Sequence, residues 1–172
     1  MVQKDSLLIL GHGGYGRMVA EAAAATGAYH HIAFLDDTPG EGVLGMLADY
    51  AQFSAQYACM LPAFGNNALR RTWLDKLGKA GVRVPNVLHP AAYISPTAKL
   101  GQGVVVLPHA TVQGGAQIAD GCIINVNAVA DHDCVLESCV HLAPGAIVKA
   151  AAHVAAQTKI ESGTVVQREG AI

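Results

Sequence analysis

Every sixth residue from position 94 to position 166 carries an aliphatic side chain, and this period constrains the fold more than any other feature of the chain. The thirteen positions are Ile94, Leu100, Val106, Val112, Ile118, Ile124, Ala130, Leu136, Leu142, Val148, Val154, Ile160 and Val166. Since roughly half of all protein residues are apolar, such a run arises by chance about once in ten thousand sequences. A period of six fits neither an α-helix nor a single strand. The pattern therefore predicts a solenoid in which each six residues form one flat face.

A second series lies four residues after each aliphatic position, and all of its twelve members are small. They are Ala98, Val104, Ala110, Ala116, Cys122, Ala128, Cys134, Val140, Ala146, Ala152, Thr158 and Thr164. Three faces of six residues make a triangular coil of 18, so residues 94–166 give about four coils. One aliphatic side chain per face fills a narrow axis, and a small residue near each corner avoids crowding it. Rings do not fit such an axis, and aromatic residues make up only 5% of the chain.

The first half of the chain alternates strands and helices instead. The predicted elements are strands over residues 7–10, 31–35 and 57–64 and helices over residues 17–26 and 67–80. Strand, helix and strand in this order predict a parallel sheet with right-handed crossovers. We therefore expect two domains, an α/β domain over residues 1–85 and the solenoid over residues 86–172.

Composition excludes several classes of protein. Eleven Lys and Arg against 13 Asp and Glu give a net charge of −2, which excludes a strongly basic nucleic-acid binder. No apolar stretch is long enough for a membrane span, and the N-terminus lacks the apolar segment of a secretory signal. The four cysteines form no C-x-x-C pair, so neither a structural zinc site nor any other metal is expected. Free thiols favour the cytoplasm.

A glycine-rich run, Gly11-His12-Gly13-Gly14-Tyr15-Gly16, separates the first strand from the first helix. Glycines let the backbone approach a pyrophosphate, and a helix N-terminus presents free N–H groups and a partial positive charge. Asp36 and Asp37 follow the second strand, where a carboxylate can accept hydrogen bonds from a ribose or a base. The alternatives are a tight turn alone, or a dinucleotide site, for which roughly 85 residues are too few. The pattern thus favours a site for one nucleotide.

The hexads resemble the left-handed β-helix of hexapeptide-repeat acyltransferases, and the two halves together resemble the subfamily that acetylates nucleotide-linked sugars. This subfamily includes sialic acid O-acetyltransferases and the UDP-4-amino-sugar N-acetyltransferases of the bacillosamine pathway. The likeness rests on the hexads and on these motifs: Gly11–Gly16, Leu35-Asp36-Asp37, Phe64-Gly65-Asn66-Asn67, Asn125, Asp131-His132-Asp133 and His141. It implies a Rossmann-like α/β half domain, an all-β left-handed parallel β-helix and a homotrimer.

The resemblance also implies roles for individual residues. A UDP-linked amino sugar would be held by Gly13, Gly14, Tyr15, Asp36, Asp37 and Gly65, with Tyr15 standing where the family commonly has His. Acetyl-CoA would contact His141, Asn125 and Ala150. Ala150 replaces a glycine whose N–H faces the thioester in the family, and Ala supplies the same N–H if its φ is negative. The alternative for Asn66 and Asn67 is a helix N-cap, and capping and binding are compatible.

His132 with Asp133 would be the catalytic pair. Transfer of an acyl group from a thioester to an amine needs a base for the proton of the nitrogen, and a neighbouring carboxylate raises the basicity of imidazole and fixes its tautomer. The alternative is that Asp131 and Asp133 only solvate a corner. Cys134 beside them occupies an inward small position and is expected in the core. His141 lies nine residues later, half a coil away, so it can share a site with His132 only across two subunits.

The function implied is acetyl-CoA-dependent N-acetylation of the C4 amine of a UDP-linked 4-amino-4,6-dideoxy-N-acetyl sugar, a glycosylation precursor, by direct attack without a covalent enzyme intermediate. One alternative is another acceptor, a GDP-amino sugar or sialic acid. The other is a non-catalytic nucleotide-sugar-binding protein, because members of the family usually continue further and end in a Gly-x-Pro-Ala segment. We therefore expect a shortened groove for coenzyme A.

Overall fold

The computed structural model describes residues 3–168 and divides the chain into two compact units, Met1–Pro85 and Asn86–Ile172. The first unit is an α/β domain. Its elements are β1 (Gln3–Leu10), α1 (Gly14–Ala25), β2 (His31–Leu35), a 3₁₀ helix (Leu47–Asp49), α2 (Tyr50–Phe53), β3 (Tyr57–Pro62) and α3 (Asn67–Lys79). The strands form a parallel sheet in the order β2-β1-β3, so β1 is central. Its residues Leu7, Leu8, Ile9 and Leu10 are fully buried, as expected for a strand covered on both faces.

One helix of this unit differs from the sequence prediction in a way that shapes the site. α1 begins at Gly14 rather than at residue 17, because the extended backbone of Gly13 forms its N-cap. The second half of the glycine run is thus the first turn of the helix. α3 begins at Asn67 as predicted, and the Asn66 side chain caps it by accepting the Leu69 N–H at 2.9 Å. The 3₁₀ helix and α2 were not predicted, and β3 ends two residues earlier than expected.

The second unit is a parallel β-solenoid with a two-residue strand in each hexad. Its strands are β4 (Val87–Leu88), β5 (Tyr93–Ile94), β6 (Lys99–Leu100), β7 (Val105–Val106), β8 (Thr111–Val112), β9 (Gln117–Ile118), β10 (Ile123–Ile124), β11 (Val129–Ala130), β12 (Val135–Leu136), β13 (His141–Leu142), β14 (Ile147–Val148), β15 (His153–Val154), β16 (Lys159–Ile160) and β17 (Val165–Val166). Pairs such as Val129 with Ile147 join positions separated by one coil of the predicted length. The solenoid contains one hexad before the run that starts at Ile94, with Leu88 as its aliphatic residue, inside the range of residues 86–172 predicted for this domain.

Every third strand belongs to the same sheet, so the solenoid has three faces. We call them the first sheet (β4, β7, β10, β13, β16), the second sheet (β5, β8, β11, β14, β17) and the third sheet (β6, β9, β12, β15). The two predicted columns fill the axis: their members from Val104 to Val154 are buried, while Ile94, Leu100, Ile160 and Val166 at the ends are partly buried. Among residues 3–168, no helix combines the length and apolar character needed to cross a membrane.

The corners of the solenoid repeat one backbone feature, which is a positive φ just before each small inward residue. Eleven successive hexads contain it, and glycine occupies only five of these positions, Gly103, Gly115, Gly121, Gly145 and Gly163. The other six are His109, Asn127, Asp133, Cys139, Ala151 and Gln157. The corner therefore imposes the left-handed conformation whatever the residue, at a modest energetic cost for side chains other than glycine. Asp133, the predicted partner of His132, is one of these residues.

Candidate active site

A cleft of about 340 Å³ opens at the glycine run of the α/β domain. Five of the six predicted substrate residues line it: Gly13, Gly14, Tyr15, Asp36 and Gly65. The sixth, Asp37, lines a neighbouring pocket of about 240 Å³, and Asp36 contributes to both. The structure therefore brings together the three segments that the sequence singled out, because the carboxyl ends of adjacent parallel strands meet at one edge of a sheet.

The glycines of this cleft serve two different purposes. A Cβ at Gly16 would overlap the carbonyl oxygen of Gly11, so Gly16 permits the close packing of helix and loop. A Cβ at Gly13, Gly14 or Gly65 would instead meet no atom within 4 Å. At these three positions the backbone borders open space, and no side chain caps the N-terminus of α1. Backbone N–H groups at a helix start, without side chains in front of them, are suited to a phosphate.

The two predicted carboxylates are fixed by backbone amides. The His12 N–H donates to Oδ2 of Asp36 at 2.7 Å and the Thr38 N–H donates to Oδ1 at 2.8 Å. Partial burial raises the pKa of Asp36, but these hydrogen bonds outweigh it, and the pKa lies below its ordinary value. The Leu47 N–H donates to Oδ1 of Asp37 at 3.0 Å. Asp36 is thus an ionised acceptor that also holds the glycine loop against the end of β2.

Arg70 supports the loop that lines the cleft, and no sequence motif pointed to it. It is 1% exposed, and its guanidinium donates to the Phe64 carbonyl at 2.7 Å and to Oδ1 of Asn67 at 2.8 Å. The Tyr15 hydroxyl is also buried. Burial raises the pKa of Tyr15 while the positive charge of Arg70 opposes the rise, so the phenol stays protonated. A buried cation therefore lies behind the loop that carries Gly65, and Tyr15, at the position where the resembled family commonly has His, is a neutral phenol.

His132 and Asp133 lie in the turn between β11 and β12, at the corner of the second and third sheets. The His132 Nδ1–H donates to Oδ2 of Asp133 at 2.9 Å, and both side chains are mostly exposed. This hydrogen bond raises the pKa of His132; desolvation opposes the rise, and the charges of Asp131 and Asp133 add to it. Because a carboxylate only accepts, the bond selects the tautomer whose Nε2 carries a lone pair. The pair has the arrangement of a general base and its orienting group.

Cys134 follows this pair directly and is fully buried, as predicted. Burial raises the pKa of its thiol to about 12, and the charge of Asp131 acts in the same direction. A nucleophilic cysteine needs a thiolate, which this environment disfavours. In the part of the chain between residues 3 and 168, no group of three His, Cys, Asp or Glu side chains is placed to hold a metal ion.

The three predicted acetyl-CoA residues fall into two places. His141 lies in β13 and Asn125 directly follows β10, both on the first sheet, and Nδ2 of Asn125 is 3.3 Å from Nε2 of His141. Ala150 lies one coil after His132, and its neighbour Ala151 donates its N–H to the His132 carbonyl. Ala150 is not among the described residues with positive φ, so it meets the condition set for its N–H. Within one chain, the turn with Ala150 therefore stacks on the turn with His132, whereas His141 lies on another face of the solenoid.

Comparisons with known proteins agree with these features. The PglD N-terminal domain family matches residues 6–77. UDP-N-acetylbacillosamine N-acetyltransferase of Bacillus subtilis is 30% identical over 110 residues, 59% of this chain and 51% of the relative, so the chain spans about half the length of that curated relative. The acetyltransferase domain of PglB from Neisseria gonorrhoeae, solved with acetyl coenzyme A, is 37% identical with a TM-score of 0.80, covering 94% of this chain and 87% of that one.

A second solved structure is PerB from Caulobacter crescentus in complex with CoA and GDP-perosamine. It is 30% identical with a TM-score of 0.85, over 95% of this chain and 89% of that one. These likenesses confirm the predicted fold, a short α/β region followed by a left-handed β-helix. The chain belongs to the hexapeptide-repeat family of nucleotide-sugar N-acetyltransferases.

Proposed function

We propose that this protein transfers the acetyl group of acetyl-CoA to the C4 amine of a UDP-linked 4-amino-4,6-dideoxy-N-acetyl sugar. The observation that carries the proposal is the exposed His132–Asp133 pair, whose Nδ1–Oδ2 hydrogen bond of 2.9 Å orients an imidazole of raised basicity. The turn of the next coil that contains Ala150 stacks on this pair, since the Ala151 N–H donates to the His132 carbonyl.

The reaction is a direct transfer within a ternary complex. The sugar nitrogen attacks the thioester carbonyl, and Nε2 of His132 takes the proton that this nitrogen loses. Asp133 stabilises the resulting imidazolium, and the Ala150 N–H is suited to the oxyanion of the tetrahedral intermediate. Collapse of the intermediate breaks the C–S bond, and the coenzyme A thiolate recovers a proton from His132. The amide forms without a covalent enzyme intermediate.

The α/β cleft supports an acceptor sugar that is bound through a nucleoside diphosphate. Gly13, Gly14 and Gly65 border open space, and the start of α1 offers N–H groups to a phosphate. Asp36 is ionised and its oxygens are suited to the hydroxyls of a ribose. The bacillosamine relative favours uridine, whereas the perosamine relative, crystallised with a GDP-sugar, makes a GDP-linked amino sugar the second candidate.

Thiol release from acetyl-CoA tests the proposal. We expect release with the UDP-linked 4-amino sugar and formation of its N-acetyl product by mass spectrometry. Thiol release with GDP-perosamine but not with the UDP-linked sugar would mean that the acceptor carries GDP instead of UDP. The proposed acetyl transfer would then stand. If no amine causes thiol release and calorimetry detects no acetyl-CoA binding, the proposed acetyltransferase activity is contradicted. A nucleotide-sugar-binding protein would then be favoured.

We also propose a homotrimer in the cytoplasm. The outward column of the second sheet is uncharged, and its end members Tyr93 and Val165 are 54% and 42% exposed. If three copies turn this sheet toward a common axis, the His132 corner of each copy lies beside the first sheet of its neighbour, which carries His141. The four cysteines are all buried and none of them is in a disulfide, as in proteins of a reducing compartment.

Subunit mixing tests this arrangement. We expect His132→Ala and His141→Ala each to be inactive alone, and their coexpression to restore activity, because a mixed trimer contains one junction with both histidines intact. Coexpression of His132→Ala with a tagged His132→Ala chain is the control. Absence of restored activity in purified mixed oligomers, or a monomer by light scattering, would contradict the shared site.

A further inference from the structure

The turn that carries His132 and Asp133 stacks on the turn one coil earlier, and that turn contains Gly114 and Gly115. The Asp133 N–H donates to the Gly114 carbonyl at 3.0 Å. Gly115 lies one coil before Asp133 and has φ of 72°. A Cβ built at Gly115 would overlap Oδ1 of Asp133, and it would approach the carboxyl carbon to 3.2 Å. The carboxylate therefore occupies the space that a side chain at residue 115 would fill.

The backbone conformation does not by itself require glycine at this place. Asp133 and Ala151 occupy the same position of the same corner in the next two coils, with φ of 58° and 55°. The chain thus accepts aspartate and even alanine there. What distinguishes Gly115 is the carboxylate of Asp133 lying over it. The absence of a side chain at residue 115 leaves room for the Asp133 carboxylate of the following coil.

We propose that Gly115 is a positioning residue for the reaction, whose missing side chain seats the Asp133 carboxylate so that its other oxygen holds Nδ1 of His132. The inference rests on the proposed function, since it gives Gly115 its role through the His132–Asp133 pair. Oδ1 lies over Gly115 while Oδ2 accepts from His132 at 2.9 Å, so a displacement of the first oxygen moves the second. The Cβ of alanine would push only this exposed carboxylate, and the fold would tolerate it.

The charged groups around the imidazole determine the expected change in pH dependence. On its own turn these are Asp131 and Asp133; the preceding coil offers only Gln113, Gly114 and Gly115; the following coil has Lys149 one coil after Asp131. The Asp133 hydrogen bond is the largest cause of the raised pKa of His132. A displaced carboxylate lowers this pKa, so the rate falls with acid at a lower pH than in the wild type.

The experiment compares Gly115→Ala with Gly163→Ala in the full-length protein. Gly163 has φ of 70° and a Cβ there would meet no atom within 4 Å, so it carries the same conformational cost without a carboxylate above it. We expect Gly115→Ala to lower kcat by roughly tenfold or more, with KM values little changed and the acid limb shifted to lower pH. Gly163→Ala should keep the wild-type kcat and pH profile. Gly115→Ala combined with Asp133→Asn should be no slower than Asp133→Asn alone.

A readout independent of turnover separates this inference from the proposed function. The ¹H NMR titration of the His132 ring, assigned by the signal missing in His132→Gln, should give a lower pKa in Gly115→Ala than in Gly163→Ala. Equal titrations and equal rates in the two glycine variants, with Asp133→Asn impaired, would overturn the role of Gly115. A double variant slower than Asp133→Asn would likewise overturn it in favour of a structural defect. Normal turnover in both His132→Ala and Asp133→Asn would remove the proposed base, while the titration would still decide the positioning.

Discussion

Replacement of His132 by Ala is expected to lower kcat by at least about a hundredfold, the usual contribution of a positioned general base. The amine must lose a proton as it attacks the thioester, and Nε2 of His132 is the acceptor that the Asp133 hydrogen bond prepares. The side chain is 61% exposed and packs into no core, so the fold should be unaffected. The measurement is the initial rate of thiol release with both substrates saturating.

His153 offers a matched control for this variant. Its Nε2 is 2.8 Å from Oε1 of Glu137, and its side chain is 56% exposed, so it is also a surface histidine hydrogen-bonded to a carboxylate. It lies in β15 of the third sheet, directly after the turn that carries Ala150, and it is not among the residues assigned to either substrate. His153→Ala should keep kcat within about twofold, as expected for a surface substitution. A near-normal rate in His132→Ala, or an equal loss in both variants, would remove His132 as the base.

The solenoid was predictable almost to the residue because each hexad encodes its own geometry. An aliphatic residue and a small residue four positions later specify one face and one corner, and neighbouring coils only repeat the rule. The run of hexads was started at Ile94, although Leu88 and Ala92 continue both series by one hexad toward the N-terminus. The left-handed corner residues were not predicted, since six of the eleven are not glycine. Asn127 and Asp133 have only the raised tendency of their residue types toward a positive φ, which is too weak to predict a corner.

The α/β domain was predicted less well where the pattern of polarity misleads. In α3, the spacing of Leu69, Trp73 and Leu77 at four residues predicts one apolar face, yet Leu69 is 40% exposed and lines the cleft. Arg70 takes the buried position instead, in phase with Trp73 and Leu77. A long aliphatic stem lets arginine lie in a core if its guanidinium finds acceptors. The spacing of residues 70, 73 and 77 is that of one buried helix face. It can be recognised in the sequence only if Arg70 is accepted as a buried residue despite its charge.

The role of Gly115 lies beyond any local pattern for a different reason. Sequence reasoning finds a helper beside His132 because Asp133 is its neighbour in the chain. The support for that helper comes from the preceding coil, through stacking of one turn on the next. Gly115 is one of many glycines in the sequence, and residues with side chains share its positive φ, so neither feature singles it out. Only the position of the Asp133 carboxylate distinguishes it.

Replacement of Gly14 by Leu is expected to raise KM for the nucleotide sugar roughly a hundredfold, equivalent to the loss of one or two hydrogen bonds to a charged group. Gly14 begins α1 and lines the cleft, and a Cβ there would meet no protein atom within 4 Å. The leucine side chain would therefore extend into the space assigned to the phosphates. Steady-state kinetics with the sugar varied should show the change in KM, while KM for acetyl-CoA stays near the wild-type value.

Gly78→Leu is the matched control, since Gly78 is also a helical glycine with open space at its Cβ and lies outside the cleft. Leucine favours a helix more than glycine by several tenths of a kcal/mol, so neither variant should be less stable, and thermal unfolding checks this. Calorimetry with UDP alone should show binding to the wild type and to Gly78→Leu but not to Gly14→Leu. Equal affinity in all three would mean that the glycine run is only a tight turn. The nucleotide would then have to bind elsewhere, because a phosphate at the start of α1 and a leucine at residue 14 compete for one space.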